Sequence, residues 1–159
     1  MKAFQLLLCA VLGSLLVVGA APAMPTTASE EDECHRVNAV GVGQDLGGGN
    51  TTATISHAGF LTGTTTAHFD INGGAFPVFT FAGTVVFTAK HGTLTVDIAG
   101  TFNVATGAFE ASGPVRNGTG KFAGATGTLT FSGVEDLSTG VFTETIIGRI
   151  CLDEDDDDA

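Results

Sequence analysis

A period of two constrains this chain more than any other feature. From about Cys34 to Leu152, short runs of Thr, Val, Phe and Ile alternate and are punctuated by glycine, the pattern of strands with one face on a core and the other in water. In Thr93 to Val104, Leu94, Val96, Ile98, Phe102 and Val104 take one face and Thr93, Thr95, Asp97, Thr101 and Asn103 the other. Phe79 to Phe87 repeats it, with Phe79, Phe81, Val85 and Phe87 against Thr80, Ala82, Thr84 and Val86. Ala105-Thr106-Gly107 and Ser138-Thr139-Gly140 supply the left-handed glycine of short hairpin loops. Asn72-Gly73-Gly74, His91-Gly92 and Asn117-Gly118 mark further reversals, and a single turn is expected at Lys121 to Gly124. About eight strands and no long helix predict an all-β fold. We expect a single antiparallel closed barrel, with a β-sandwich as the alternative.

The two cysteines at the edges of this pattern favour closure. Met1-Lys2, the apolar run Ala3 to Ala20 and Ala21-Pro22-Ala23 read as a secretory signal over residues 1–23. The run approaches the roughly 20 residues of a membrane span, but Gly13, Ser14 and Gly19 interrupt it. Export to an extracellular or periplasmic compartment follows, with no membrane association after cleavage. Cys9 leaves with the signal, so Cys34 and Cys151 remain and are expected to pair in an oxidising compartment. A bridge holds its Cα atoms within about 7 Å. The first and last strands should therefore lie side by side.

The formal charge of −11 is localised. Glu30 to Glu33 and Asp153 to Asp158 hold ten of the 17 acidic residues; they belong to an acidic leader over 24–33 and an acidic tail over 153–159, both expected to be disordered. Between them stand seven acidic and five basic residues, so the domain over 34–152 is nearly neutral. Arg36, Lys90, Arg116, Lys121 and Arg149 are scattered, which disfavours a nucleic-acid partner. No CxxC or His cluster accompanies the cysteines, and His35 stands alone, so no metal or cofactor is expected.

The stretch Asn117-Gly118-Thr119-Gly120-Lys121-Phe122-Ala123-Gly124-Ala125-Thr126-Gly127, entering the strand Thr128 to Gly133, resembles the G-[ST]-G-x-F-x-G-A-x-G signature of allene oxide cyclase-like barrels, and dirigent-like barrels carry a similar motif. The resemblance covers one hairpin strongly and the rest as a strand pattern. It implies an eight-stranded barrel with an apolar interior and Phe122 plugging one end. Members either fold a hydrophobic substrate into a ring-closing geometry or guide a coupling performed by a partner. The chain has no Tyr and no Trp, so no family site built on tyrosine carries over.

Chemistry-bearing residues are few. Parity in the last strand puts Glu144 in a row with Phe142, Ile146, Gly148 and Ile150. Because both rows of this strand are mixed, the plainer expectation is that Glu144 points to water; pointing inward, it would be a catalytic acid or base with a raised pKa. Asp97, Glu110, Arg116 and His68 share rows with polar residues and read as surface, while His57 follows the parity of Ile55 in a stretch that Gly59 disrupts. The T-x-T steps fall at irregular spacing, so no threonine ladder of the ice-binding kind is expected. Asn50-Thr51-Thr52 and Asn117-Gly118-Thr119 fit the glycosylation pattern. No G-x-S-x-G, H-E-x-x-H or P-loop occurs.

Three functional readings follow. The first is a secreted barrel that holds an apolar small molecule among Phe79, Phe81, Phe87, Phe102, Phe131 and Phe142. The second is a cofactor-free cyclase or isomerase using the same cavity, with Glu144 as its reactive group. The third is a structural or surface-interaction protein whose interior is packed. Cavity volume separates the third from the others.

Overall fold

The computed structural model describes residues 33–153. Eight strands, β1 (Glu33–Gly47), β2 (Asn50–Ser56), β3 (Gly63–Ala75), β4 (Val78–Ala89), β5 (Gly92–Asn103), β6 (Ala108–Gly118), β7 (Thr126–Glu135) and β8 (Val141–Leu152), follow one another in an up-and-down order. Each pairs antiparallel with the next, and β8 pairs with β1, so the sheet closes into a barrel. A barrel, not a sandwich, is formed. The signal, residues 24–32 of the leader and residues 154–159 of the tail lie outside the described residues. Glu33 itself belongs to β1, one residue earlier than the domain boundary expected at Cys34.

Closure is fastened where the cysteines stand. Cys34 lies directly opposite Cys151 in the β1–β8 ladder, and the two are disulfide-bonded across a sequence separation of 117 residues. Such a bond fits an oxidising, extracellular location. Among the described residues no helix is long and apolar enough to cross a membrane.

The up-and-down order gives the barrel two different poles. One pole collects both ends of the domain and the longer connections, including the 3-10 turns Gly59–Leu61 and Gly120–Phe122. There Phe122 and Leu61 are each 1 % exposed, above a core that includes Leu94, Leu129 and Ile150. Phe60 stacks against both Phe122 and His35, with centroids 6.0 and 5.1 Å away. Phe122 is the expected plug. Gly120 and Gly124 take left-handed φ values of 59° and 71° around it, which glycine tolerates and other residues resist. We call this the closed pole. The other pole carries the four hairpin loops β1–β2, β3–β4, β5–β6 and β7–β8, and is open.

The alternating pattern holds in β4 and β5: Val85, Phe87, Leu94, Val96 and Ile98 are all buried. One reversal falls elsewhere than expected. Asn72-Gly73-Gly74 is a bulge inside β3, where the register slips between Ile71 and Gly73, and the chain turns later, through a cis Phe76–Pro77 peptide. Turn-forming residues that make a left-handed step can bend a strand without ending it. Register also aligns threonines that sequence spacing keeps apart. Thr54, Thr64, Thr88 and Thr93 stand opposite one another across β2 to β5, and Thr52 faces Thr66 in the next row. These rows lie on the curved outer wall of a closed barrel, where cross-strand threonine pairs contribute about 0.2–1 kcal/mol each.

Candidate functional site

The interior is not filled. Below the plug the core is packed, but towards the open pole a cavity of about 430 Å³ remains, inside the range of roughly 300–1,000 Å³ found for small-molecule sites. A packed interior is thereby ruled out for this half of the barrel.

Two different walls enclose the space. Strands β3 to β6 supply Phe69, Phe79, Phe81, Phe102 and Phe109. Phe69 and Phe81 meet at 5.3 Å, and Phe109 reaches across to Phe142 edge-on at 5.9 Å. Strands β7, β8 and β1 supply Phe131 and Phe142 together with Glu135, Glu144 and Asp45, and Asp70 of β3 adds a fourth carboxylate at the rim. Inward parity sets this wall: Leu129, Phe131, Gly133 and Glu135 share one face of β7, and Ala39, Gly41, Gly43 and Asp45 one face of β1.

Glu144 points inward, against the plainer sequence expectation. Its ladder neighbours explain why it fits: Gly41 of β1 and Gly133 of β7 stand opposite it on either side. A Cβ at Gly41 would come within 2.6 Å of Glu144 Oε1, and one at Gly133 would press on the Phe109 ring. Gly41 thus leaves a recess for the carboxylate that any side chain would fill, and Gly133 leaves room for the Phe109 ring. A continuous ladder row runs Phe79, Phe102, Phe109, Gly133, Glu144, Gly41. No hydrogen bond or ion pair reaches Glu144 among the described residues, and burial alone pushes its pKa up to about 7. At neutral pH this carboxyl exchanges protons readily.

Glu135 lies nearer the mouth. Its pKa is raised, first by burial and then by the negative charge of Asp45. Asp45 Oδ1 accepts a hydrogen bond from the backbone N–H of Gly47 at 2.8 Å. Outside the mouth, Asp136 accepts from the hydroxyl of Ser138 at 2.6 Å, and the Ser138 contacts hold its carboxyl below the usual range.

Five of the six phenylalanines expected to meet a ligand, Phe79, Phe81, Phe102, Phe131 and Phe142, line the cavity. Phe87 does not. It is 1 % exposed, packs on Phe131 with centroids 6.2 Å apart, and belongs to the solid core below. The difference is depth: Phe87 follows Phe79 and Phe81 on the same face but lies nearer the closed end of β4. Phe69, Phe109, Asp45 and Glu135 escaped notice. Phe69 alternates with His68 and Asp70, and Phe109 precedes Glu110, so reading those charges as surface already implied that both rings point inward. Glu135 shares parity with Phe131; Asp45 sits in a glycine-rich strand that gives parity little to act on.

Asp97, Glu110, Arg116 and His68 stand on the outer face as expected, while Asp70 also reaches the rim of the cavity. Arg116 pairs with Asp97 at 3.0 Å, and His68 approaches Asp70 at 3.7 Å and bonds Asn50. His57 is exposed in the loop after β2, with a φ of 59°. No group of metal-ligating side chains occurs among the described residues. Compared with family models, curated proteins and solved structures, the chain finds no match.

Proposed function

We propose that the protein is a secreted carrier or receptor that holds an apolar small molecule in the open half of its barrel. The observation behind this reading is the 430 Å³ cavity walled by phenylalanine rings and open at one pole. Exposed apolar side chains continue outward from it: Leu46, Ile71, Phe76, Val78 and Leu137 stand around the open end. An apolar path from solvent to cavity favours entry of a ligand with little affinity for water. Secretion itself rests on the signal-like residues 1–23 and agrees with the disulfide. The eight-stranded barrel and its plug at Phe122 are also consistent with the resemblance to allene oxide cyclase-like and dirigent-like proteins.

Native mass spectrometry of the protein purified from its own source tests the reading. A retained small molecule is expected, and the Ala111→Trp variant, which fills the cavity from β6, should lose it. Protein that carries nothing, and that also fails to take up a neutral apolar dye such as N-phenyl-1-naphthylamine, would overturn the carrier reading.

A second reading, a cofactor-free cyclase or isomerase, draws on Glu144. A carboxyl that titrates near pH 7 beside an apolar mould can move a proton while the walls hold a flexible substrate in one conformation. If the bound molecule is converted on incubation and Glu144→Gln stops the conversion, the enzyme reading replaces the carrier.

A further inference from the structure

Between residues 34 and 152 the charges are unevenly placed along the barrel, although Asp97 sits mid-strand in β5, paired with Arg116, and the acidic residues Glu33 and Asp153 flank the disulfide at the closed end. Asp45, Asp70, Glu135, Asp136 and Glu144 all stand at or near the open end, and Glu110 lies two residues into β6 from the same side. All five basic residues stand towards the other end. Lys90 and Lys121 lie in its connections, Arg36 faces Arg149 across the β1–β8 ladder near the disulfide, and Arg116 is close to the end of β6. The cavity lining includes four carboxylates and no Lys, Arg or His. Three of the four, Asp45, Glu135 and Glu144, project inward from adjacent strands, opposite the phenylalanine wall.

We infer that the ligand of this cavity is a cationic amphiphile, an organic amine or ammonium with an apolar or aromatic body, seated with its cation on the Asp45–Glu135–Glu144 wall and its body against the phenylalanines. The inference rests on the carrier reading and sharpens it. An ammonium supplies the charge and the N–H donors that Glu144 lacks among the described residues. The ring faces opposite add attraction for the same cation. A ligand carrying a carboxylate or phosphate would meet like charges with no compensating cation in a space of low dielectric. The carboxylates around the mouth, Asp45, Asp70 and Glu135, attract a cation locally and repel an anion.

Three ten-carbon probes that differ only in the head group decide the matter: decylamine, decanol and decanoate, each titrated calorimetrically below its aggregation concentration. Decylamine should bind at least tenfold more tightly than decanol, and decanoate most weakly. Asp45 and Glu135 share the cavity wall with Glu144, and Asp70 of β3 is the fourth ionisable group of the lining; Gly41 and Gly133 face Glu144 directly, and β6 offers only Phe109 and Ala111 to the cavity. Glu135 and Glu144, whose burial favours the protonated form, gain charge as pH rises, while a primary amine keeps its proton below about pH 10. The preference for amine over alcohol should therefore grow between pH 5.5 and pH 8. It should collapse towards unity in the triple variant Asp45→Asn, Glu135→Gln, Glu144→Gln. Decanol or decanoate binding as tightly as decylamine overturns the inference and leaves the carrier reading standing. Failure of all three probes to bind overturns both.

Discussion

At the closed pole, Phe122, Leu61, Leu94 and Ile150 are almost wholly buried, and a disulfide joins the first strand to the last. At the open pole the same eight strands end around a cavity, Phe76 is 77 % exposed, and the charges are acidic. Strand alternation is equally good in both halves, so alternation does not produce the difference. Glycine and loop length do. At one end, connections long enough to fold a 3-10 turn drop Phe122 into the barrel axis. At the other, tight hairpins leave the axis uncovered, and inward glycines such as Gly41, Gly43 and Gly133 replace side chains that would otherwise fill it. One end is packed, and the other leaves room for a small molecule.

Paired phenylalanine substitutions put this division to its strongest test. Phe122→Ala removes a fully buried ring and should cost about 3–5 kcal/mol in denaturant unfolding. Phe102→Ala, which trims a partly exposed cavity wall, should cost under about 2 kcal/mol and show its main effect on ligand binding. Equal losses of stability would erase the distinction between the poles.

Removing the bridge comes next in size. The chain-entropy account gives a loop of 117 residues a ceiling near 4–5 kcal/mol. Strand pairing already holds Cys34 opposite Cys151, so Cys34→Ala with Cys151→Ala should lose about 2–4 kcal/mol and keep the barrel. Hydrogen exchange should rise most at the closed ends of β1 and β8 and little around the open loops. Faster exchange spread evenly over both poles would show that the bridge stabilises the whole barrel and not one end.

The fold was far more legible in the sequence than the site. Parity in β4 and β5 identifies the buried face because Val, Leu, Ile and Phe recur at every second position. Cys34 and Cys151 mark the seam for the same reason, standing where the strand pattern begins and ends. Parity puts Glu144 on the inward row with Phe142, Ile146 and Ile150, but it does not show that the carboxylate has room there, because Gly41 comes from a strand about a hundred residues away and only register brings it opposite. Parity fails at Phe87 because alternation records which face a residue takes and not how deep it lies. The acidic side of the cavity was hidden for a related reason: Asp45, Glu135 and Glu144 stand far apart in sequence or in separate strands, and only the closed sheet brings them to one wall.

Substituting Glu144 tests the open pole with a smaller effect that pH switches on and off. Its folded pKa of about 7 exceeds the ordinary 4.5, so between these values the folded state holds more of its proton than the unfolded state. Stability from this group is therefore complete below about pH 4.5, falls as pH rises, and is lost above about pH 7. A difference of that size corresponds to at most about 3 kcal/mol, reduced by the access to solvent that the open mouth allows. Glu144→Gln keeps the shape and removes the titration. The variant should match the parent near pH 4 and exceed it by up to about 3 kcal/mol at pH 8 in urea unfolding. A saturating cationic ligand should shrink that gap, since it stabilises the ionised carboxylate of the parent and offers the amide less. A gap that stays constant across pH would mean that the carboxyl is solvated, and the acidic wall would then lose its innermost member.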